Sequence, residues 1–569
     1  MVGQYALKNN DLLAGTTQAY RPWYENGAWQ GDIIEYDIVM GDPLLQDGTR
    51  ITDADVGANP ATAGASGRCN FSGHLGSGCW TARATFIANG ADDPTGSYWQ
   101  NRNIFTNNGG QVNFTWDYLS AVQRESVDKE TYDTILALNG YDATLAASDT
   151  SRNTADASEI LNYIRGKRLH EKINDTVSGS NGNLRSRYSV LGDITSSPIY
   201  IGPPREPYGQ LSGFITFSTD YASRDGRVAV GANDGMLHVF DEDDGSEVFA
   251  YVPSMVLDKL GKLAARDATY DHTYYVAGDL LSASAYFDSA WHTVLVGGGG
   301  PGFAGLYVLD VTEDVYPGTS NKLLFEKTSV DADNSIGHIY GRPQVGALGA
   351  DSDTSPSWYV FSGNGYSTTA GHKTALVITS LDNPHTICQV ETFPETYGGL
   401  STPALLSTDI DNMVELAFAG DLNGNLWMFK FDQSDPCTTE PPIKVYAGSP
   451  DQPITTAPSI SEHPYKSGYI VYFGTGSLLS LDDALNDGLR DGGNPGLQTD
   501  YTKKQAVYGI WIDTENADTM SALASTPYQF NSDPDLSDLQ TQTLVETTAT
   551  FNGLVETLRI TPTENPLNY

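Results

Sequence analysis

The chain repeats a short pattern in which an apolar run, a tight polar turn and a second apolar run follow one another. The clearest copy covers 226–241, where Asn233-Asp234-Gly235 separates two apolar runs. Turns of this composition set the register of a β-hairpin. Further copies follow along the chain, beginning near His292, Trp358, Leu416, Tyr469 and Ala506. The pattern therefore predicts an all-β protein built from successive hairpins.

The spacing of the copies indicates the architecture. They recur at roughly 50 to 65 residues, which is wider than a compact four-stranded propeller blade, and insertions within blades account for the excess. A β-propeller also removes the exposed sheet edges, because each blade is covered by the next and the ring closes. We predict one β-propeller domain over residues 1–569.

Residues 53–187 do not follow the repeat, and we predict a mixed, partly helical insertion there. Within it, 155–165 has helical spacing, with Ile160, Leu161 and Ile164 on one face. Basic pairs occur at 167–168 and at 185 and 187. They form either a basic surface or internal ion pairs, and the acidic composition favours internal ion pairs.

Charge excludes some classes of partner. The chain has 32 Lys and Arg against 71 Asp and Glu, a formal charge of −39. Such a field repels nucleic acid and anionic lipid and attracts divalent cations, and it is also typical of proteins in high salt.

No apolar run approaches the ~20 residues of a membrane span. The first residues lack a signal peptide, so we expect a mature fragment with any targeting segment outside it.

The four cysteines form two plausible pairs, Cys69 with Cys79 and Cys388 with Cys437. An even number without a C-x-x-C motif favours disulfides in an oxidising compartment over zinc or redox chemistry. The alternative is four buried thiols in a cytosolic protein.

One turn carries the spacing of a calcium loop. With Ser407 as the first ligand position, Asp409 is the third, Asp411 the fifth, the Met413 carbonyl the seventh and Glu415 the ninth.

The rest of this loop indicates a modest affinity. The sixth position requires a positive φ, and Asn412 tolerates one. Ser407 is a neutral ligand, and Phe418 stands where a helix-flanked loop has a bidentate Glu, so we expect weak-to-moderate binding of Ca²⁺. The alternative is an acidic surface turn with solvated carboxylates, because other D-x-D pairs occur at 53, 331 and 351.

Several motifs follow one another in a fixed order over roughly residues 1–515: WQGDIIEY at 29–36, YIRG at 163–166, RSR at 185–187, LGDITSSP at 191–198, GANDGMLH at 231–238, AYVPS at 250–254, YGGLSTPA at 397–404, AGDLNGNLW at 419–427 and PITTAP at 453–458. Together they resemble the C-terminal domain of the PilY family, the tip-associated adhesins and assembly factors of type IV pili. Two positions depart from the family pattern, Ser407 and Ala277, where the family usually has Asp.

The resemblance implies a modified seven-bladed, quinoprotein-like β-propeller with a calcium loop on Ser407, Asp409, Asp411, Met413 and Glu415. It also implies a calcium-binding biogenesis factor that supports pilus extension against retraction and contributes to adhesion to host or abiotic surfaces. Its expected partners are minor pilins at the pilus tip, with no nucleic acid and no stable membrane span. The expected location is extracellular, at the tip, after passage through the periplasm.

The alternative is a quinone-dependent dehydrogenase on the same style of propeller. Those enzymes have adjacent cysteines under the quinone and tryptophan motifs in nearly every blade, and this chain has neither. Its candidate catalytic histidines are scattered and lack a nucleophile elbow, at positions 238, 272, 338 and 372. We therefore predict that the protein is not an enzyme.

Overall fold

The structure is a computed structural model of the 569-residue chain. It describes residues 6–7, 16–25, 29–39, 80–124, 127, 155–174, 176–178, 184–265, 270–313, 322–331, 336–350, 353–367, 372–392, 398–408, 411–431, 440–477, 479, 505–513, 544–551 and 554–562.

Strands dominate these residues. They are β1 Ala6–Leu7, β2 Thr16–Glu25, β3 Gln30–Val39, β4 Ile104–Asn107, β5 Gln111–Asn113, β6 Ile199–Ile201, β7 Arg227–Gly231, β8 Leu237–Asp241, β9 Glu247–Val252, β10 Leu280–Phe287, β11 Ala290–Gly298, β12 Leu306–Asp310, β13 Leu323–Lys327, β14 Gln344–Leu348, β15 Ser357–Gly363, β16 Ala375–Ser380, β17 Ile387–Glu391, β18 Ala404–Leu406, β19 Leu416–Gly420, β20 Leu426–Lys430, β21 Ile443–Tyr446, β22 Ser459–Glu462, β23 Tyr469–Gly474, β24 Val507–Ile512, β25 Leu544–Phe551 and β26 Leu554–Pro562.

The helices are short. The α-helices are α1 Ala82–Ala88, α2 Tyr98–Asn101, α3 Ala155–Ile164 and α4 Phe214–Asp220. The 3₁₀ helices are Trp116–Tyr118, Lys172–Asn174 and Ser254–Ala264. No helix in the described ranges is long and apolar enough to cross a membrane.

The strands form sheets that follow the chain order. Three sheets are four-stranded antiparallel meanders, β10 to β13, β14 to β17 and β18 to β21. Strands β6 to β9 form a fourth meander, extended by β4 and β5, and β22 to β24 form a three-stranded one. The first strands of successive meanders contact one another, from β6 through β10, β14 and β18 to β22. This is the arrangement of propeller blades.

The predicted hairpins are confirmed, since each copy of the pattern lies on strands of these sheets. The apolar runs exist because the middle strands are buried on both faces between blades: Val294, Leu295 and Val296 are each 0% exposed. The closure of the ring and the number of blades, seven, stay predictions, because the described residues show no closed sheet.

Glycines recur at the ends of second strands because neighbouring blades approach there. A Cβ on Gly231 would lie 2.3 Å from the Val276 carbonyl oxygen. A Cβ on Gly420 would lie 2.1 Å from the Ile454 side chain. A side chain at either position would force the two blades apart.

The predicted helix at 155–165 is confirmed as α3. The side chains of Ile160, Leu161 and Ile164 are all buried in the apolar core beside β4 and β9. Strand β4 also pairs in parallel with β9, so part of residues 53–187 extends a blade. The bounds of the insertion stay a prediction.

The basic clusters form internal ion pairs and hydrogen bonds, as the acidic composition suggested. Lys167 pairs with Glu159 at 2.7 Å, and Arg187 pairs with the fully buried Glu171 at 2.9 Å. Arg168 also contacts Glu171, at 3.4 Å.

The cysteine pairings stay predictions. Cys388 lies on β17, opposite Ile378 of β16, and is half-buried. Cys69, Cys79 and Cys437 lie outside the described residues.

Peptide mapping without reductant is expected to recover a Cys69–Cys79 link from protein secreted into an oxidising compartment. Closing so short a ring contributes about 2 to 3 kcal/mol by restricting the unfolded chain. Reduction should therefore make the surrounding segment sensitive to protease. Four free thiols in the secreted protein would contradict the pairing.

Candidate metal centre

The candidate calcium loop, residues 407–415, connects β18 to β19. These strands are antiparallel, and Leu406 lies opposite Leu416 at the base of the loop. The Glu415 amide donates to the Leu406 carbonyl oxygen at 3.1 Å, and the Glu415 carboxylate accepts a hydrogen bond from the Thr408 amide. The two ends of the loop are therefore held together by the sheet that carries them.

The centre of the loop turns at Asn412, whose φ is 62°. This left-handed conformation is the one predicted for the sixth position of a calcium loop, and asparagine adopts it at low cost. The preceding carboxylate supports the turn, because Asp411 Oδ1 accepts a hydrogen bond from the Met413 amide at 2.8 Å. The backbone prediction made from the sequence is confirmed at this residue.

Met413 fixes the far side of the loop to the core. Its side chain is 1% exposed, and its backbone bridges in parallel to Ala347 of β14. The next amide, of Val414, donates to the Ala347 carbonyl oxygen at 2.8 Å. The residue whose carbonyl is the predicted seventh ligand is thus held by a neighbouring blade.

Four of the five predicted ligands lie in the described part of this connection between β18 and β19. Ser407, Asp411, Met413 and Glu415 are described, whereas Asp409 lies outside the described residues. Hydroxyl, carboxylate and carbonyl oxygens are ligands that Ca²⁺ prefers over softer donors, so the donor set fits this ion.

Within the described part of the chain, no three His, Cys, Asp or Glu side chains are grouped as a metal site. Among its described residues, the candidate loop contributes Asp411 and Glu415 to such a group, and Asp409 lies outside them. The ligand set therefore stays a prediction.

The hairpin behind the loop is held by a second acidic residue, Asp421, which is fully buried. Its carboxylate accepts hydrogen bonds from the Asn425 amide at 2.8 Å and from the Trp427 indole at 2.7 Å. Gly424 follows with a φ of 78°. The motif AGDLNGNLW is therefore a structural turn whose Asp organises the backbone and the indole.

Two contacts to the candidate loop come from far away in the sequence. The Gln210 side-chain amide donates to the Asp411 carbonyl oxygen at 3.0 Å, and the Asn412 side-chain amide donates to the Pro207 carbonyl oxygen at 3.2 Å. The sequence analysis missed Pro207 and Gln210, because no local pattern links residues about 200 positions apart.

The candidate catalytic histidines occupy separate structural hydrogen-bond networks. The His238 ring lies between Asp234 and Glu247, and His272 bonds Asp193 at 3.0 Å. The other two contact carbonyl oxygens, at distances of 2.8 Å for His338 with Gly300 and 3.1 Å for His372 with Gly365. These four histidines do not converge on one nucleophile.

The meanders joined through their first strands, with a candidate cation loop at the end of one first strand, define a protein of the β-propeller class. The model of the family described as the PilY1 beta-propeller domain matches residues 186–551. The chain belongs to this family.

Curated relatives agree with the family model. The type IV pilus biogenesis factor PilY1 of Pseudomonas aeruginosa strain PAO1 is 35% identical over 500 residues, which cover 81% of this chain and 38% of that protein. A PilY1 homolog of Xylella fastidiosa is 32% identical over 402 residues, which cover 64% of this chain and 25% of that protein. The chain thus spans well under half the length of these relatives.

A solved structure also resembles the chain. The crystal structure of the P. aeruginosa PilY1 C-terminal domain is 31% identical, covers 64% of this chain and 73% of that chain, and has a TM-score of 0.48. The names of the relatives describe pilus biogenesis factors and not enzymes.

Proposed function

We propose that this chain is the calcium-binding propeller of a type IV pilus biogenesis and tip factor. In this role it supports pilus extension against retraction and contributes to surface adhesion. Membership of the PilY1 family and the names of the relatives support the pilus role. The observation that supports the calcium role is the left-handed conformation of Asn412, at the sixth position of the proposed loop.

The proposed ligands are Ser407, Asp409, Asp411 and Glu415 through side chains and Met413 through its carbonyl. Calcium bound there would supply positive charge that holds the carboxylates of both halves of the loop together. Glu415 immediately precedes β19, so the ion would fix the start of that strand. Neutral Ser407 in place of a carboxylate keeps the affinity in the micromolar-to-millimolar range of extracellular modules.

The proposed partners are minor pilins at the pilus tip and a host or abiotic surface. The proposed location is the cell surface at the tip, reached through the periplasm. A factor exposed outside the cell meets millimolar calcium, so a weak site is sufficient to be occupied there and to empty when calcium falls.

Two substitutions of one ligand are expected to have opposite effects on pilus number. Asp409→Ala should mimic the empty loop and yield few surface pili. Asp409→Lys places an ammonium near the vacated site, mimics the bound charge and should keep pili extended at any calcium level. Pili are counted by electron microscopy in cells that carry each variant in place of the native chain. Equal counts in both variants and the parent would leave the loop a structural turn and contradict the regulatory role.

A further inference from the structure

Residues 202–226, which we call the strap, connect β6 to β7 and cross three successive blades. The Trp291 indole of β11 donates to the Ser212 carbonyl oxygen at 2.8 Å. The Ser212 amide donates to the Thr354 carbonyl oxygen, in the β14–β15 connection, at 2.9 Å. Beyond these contacts the strap reaches the candidate calcium loop after β18. One segment of chain therefore joins the second, third and fourth described blades.

At the loop, the strap holds the peptide between the fifth and sixth positions of the loop, Asp411 and Asn412. Gln210 donates to the Asp411 carbonyl oxygen and the Pro207 carbonyl oxygen accepts from the Asn412 side chain, at 3.0 and 3.2 Å. The two hydrogen bonds run in opposite directions across the same contact. They fix the orientation of the 411–412 backbone, where the chain enters its left-handed turn.

The same segment holds the apolar side of the loop. Met413 belongs to the buried cluster that contains Leu211 and Phe214 of the strap and Trp358 of β15. The strap residue Tyr208 packs its ring edge-on to that of Trp358, with the centroids 5.2 Å apart. A shift of the strap would therefore move both the 411–412 peptide and the apolar surroundings of the Met413 side chain.

We propose that the strap positions the calcium loop, so that the affinity for Ca²⁺ depends on Gln210 and the bound ion in turn stabilises the strap. This inference rests on the proposed calcium site. Some residues do not bind the metal but hydrogen-bond its ligands and hold their orientation. Removing such a residue commonly lowers the metal affinity strongly. Because binding linkage is reciprocal, an element that raises the affinity for the ion is itself stabilised by the ion. Calcium bound in one blade would thereby stabilise the contacts that the strap makes with three blades.

The first test is the calcium affinity of Gln210→Ala, measured by calorimetry on the full chain. Loss of the hydrogen bond to the Asp411 carbonyl is expected to weaken binding by about ten-fold, the lower end for groups that orient metal ligands. Gln505→Ala is the matched control, because Gln505 is also exposed and also donates to a distant main-chain carbonyl, that of Asp451 at 3.1 Å. Its affinity should equal that of the parent.

The second test is hydrogen exchange with and without calcium. In the parent, calcium should slow exchange of the amides of 208–214, and in Gln210→Ala this protection should be reduced. Gln210→Glu provides a second variant that retains side-chain size but cannot donate. A circular dichroism melt confirms that each variant is folded.

The outcomes separate the two proposals. No calcium binding by the parent would contradict the proposed site. Calcium binding by the parent with unchanged affinity in both Gln210 variants and no protection of the strap would leave the site intact and overturn the role of the strap alone.

Discussion

Asp411→Ala is expected to abolish calcium binding while the blades stay folded. Asp411 is the central predicted ligand, and its carboxylate also accepts the hydrogen bond from the Met413 amide that supports the left-handed turn. Alanine removes both the charge and this support. With Ser407 already neutral, alanine leaves only Asp409 and Glu415 as anionic ligands and also removes one oxygen ligand altogether, so we expect binding to be lost. Calorimetry of the parent and the variant measures the loss directly.

Asp411→Asn separates the two contributions of this residue. The amide oxygen of asparagine can still accept from the Met413 amide, but the negative charge is lost. We expect this variant to retain weak binding, between the parent and Asp411→Ala. Thermal unfolding without calcium should be nearly the same for all three, because the loop is a single connection between β18 and β19 and the core clusters are formed by apolar side chains.

Asp93→Ala is the matched control for the turn. Asp93 likewise accepts from an amide two residues ahead, that of Thr95 at 2.9 Å, in an exposed turn outside the candidate site. Its replacement should leave calcium affinity unchanged. If Asp411→Ala binds calcium as tightly as the parent, the assignment of the loop is wrong and the carboxylates of 407–415 are solvated surface groups.

Local sequence patterns predict the hairpins and one helix of this fold. The Asn233-Asp234-Gly235 turn, the apolar runs and the helical spacing at 155–165 all correspond to observed hairpins and to α3. The left-handed Asn412 was likewise predictable, because few residues with side chains tolerate a positive φ. Each of these features depends on neighbours within a few positions.

The parts that the sequence did not reveal depend on distant neighbours. The contacts of Pro207 and Gln210 with the candidate loop join residues about 200 positions apart. His238 and Glu247 lie in adjacent strands of one predicted hairpin region, but Arg102, the second partner of Glu247, precedes β4 in the region that does not follow the repeat. The buried charge of Arg102, which pairs with Glu247 and so joins this region to a blade, is visible only in the folded chain.

That buried charge is part of an alternating chain of four ionisable groups. Arg102 donates from Nε and Nη2 to the two carboxylate oxygens of Glu247, both at 2.7 Å, and the two side chains are 1% and 3% exposed. His238 contacts Glu247 through Nδ1 at 2.7 Å and Asp234 through Nε2 at 3.0 Å. Asp234 closes the series by accepting from the Gly192 amide at 2.9 Å.

The pKa values of these groups follow from their partners. Burial alone would raise the pKa of the Glu247 carboxyl, but the attraction and hydrogen bonds of Arg102, with those of His238, lower it to about 2. Burial alone would lower the pKa of His238, but Asp234 and Glu247 raise it to about 9. The cluster is therefore fully charged at neutral pH.

The stabilisation by this cluster has a defined pH window. The Glu247 contribution is present above the ordinary carboxyl pKa of 4.5 and is lost as the pH falls towards 2. The His238 contribution is present below the ordinary imidazole pKa of 6.5 and is lost as the pH rises through 9. Both contributions are complete between pH 4.5 and 6.5, so the difference in stability between the parent and a variant that lacks Glu247 should be largest there.

Glu247→Gln is expected to lower the free energy of unfolding by about 3 to 5 kcal/mol, because it leaves the buried Arg102 without its anionic partner. Denaturant unfolding between pH 3 and pH 9 measures the loss, which should shrink towards both ends of this range. The matched control is Glu391→Gln, since Glu391 pairs with Lys373 but the two side chains are 45% and 51% exposed. That change should cost less than about 1 kcal/mol. Equal losses in the two variants, or a loss that does not vary with pH, would mean that the Arg102–Glu247–His238 chain does not stabilise the blade.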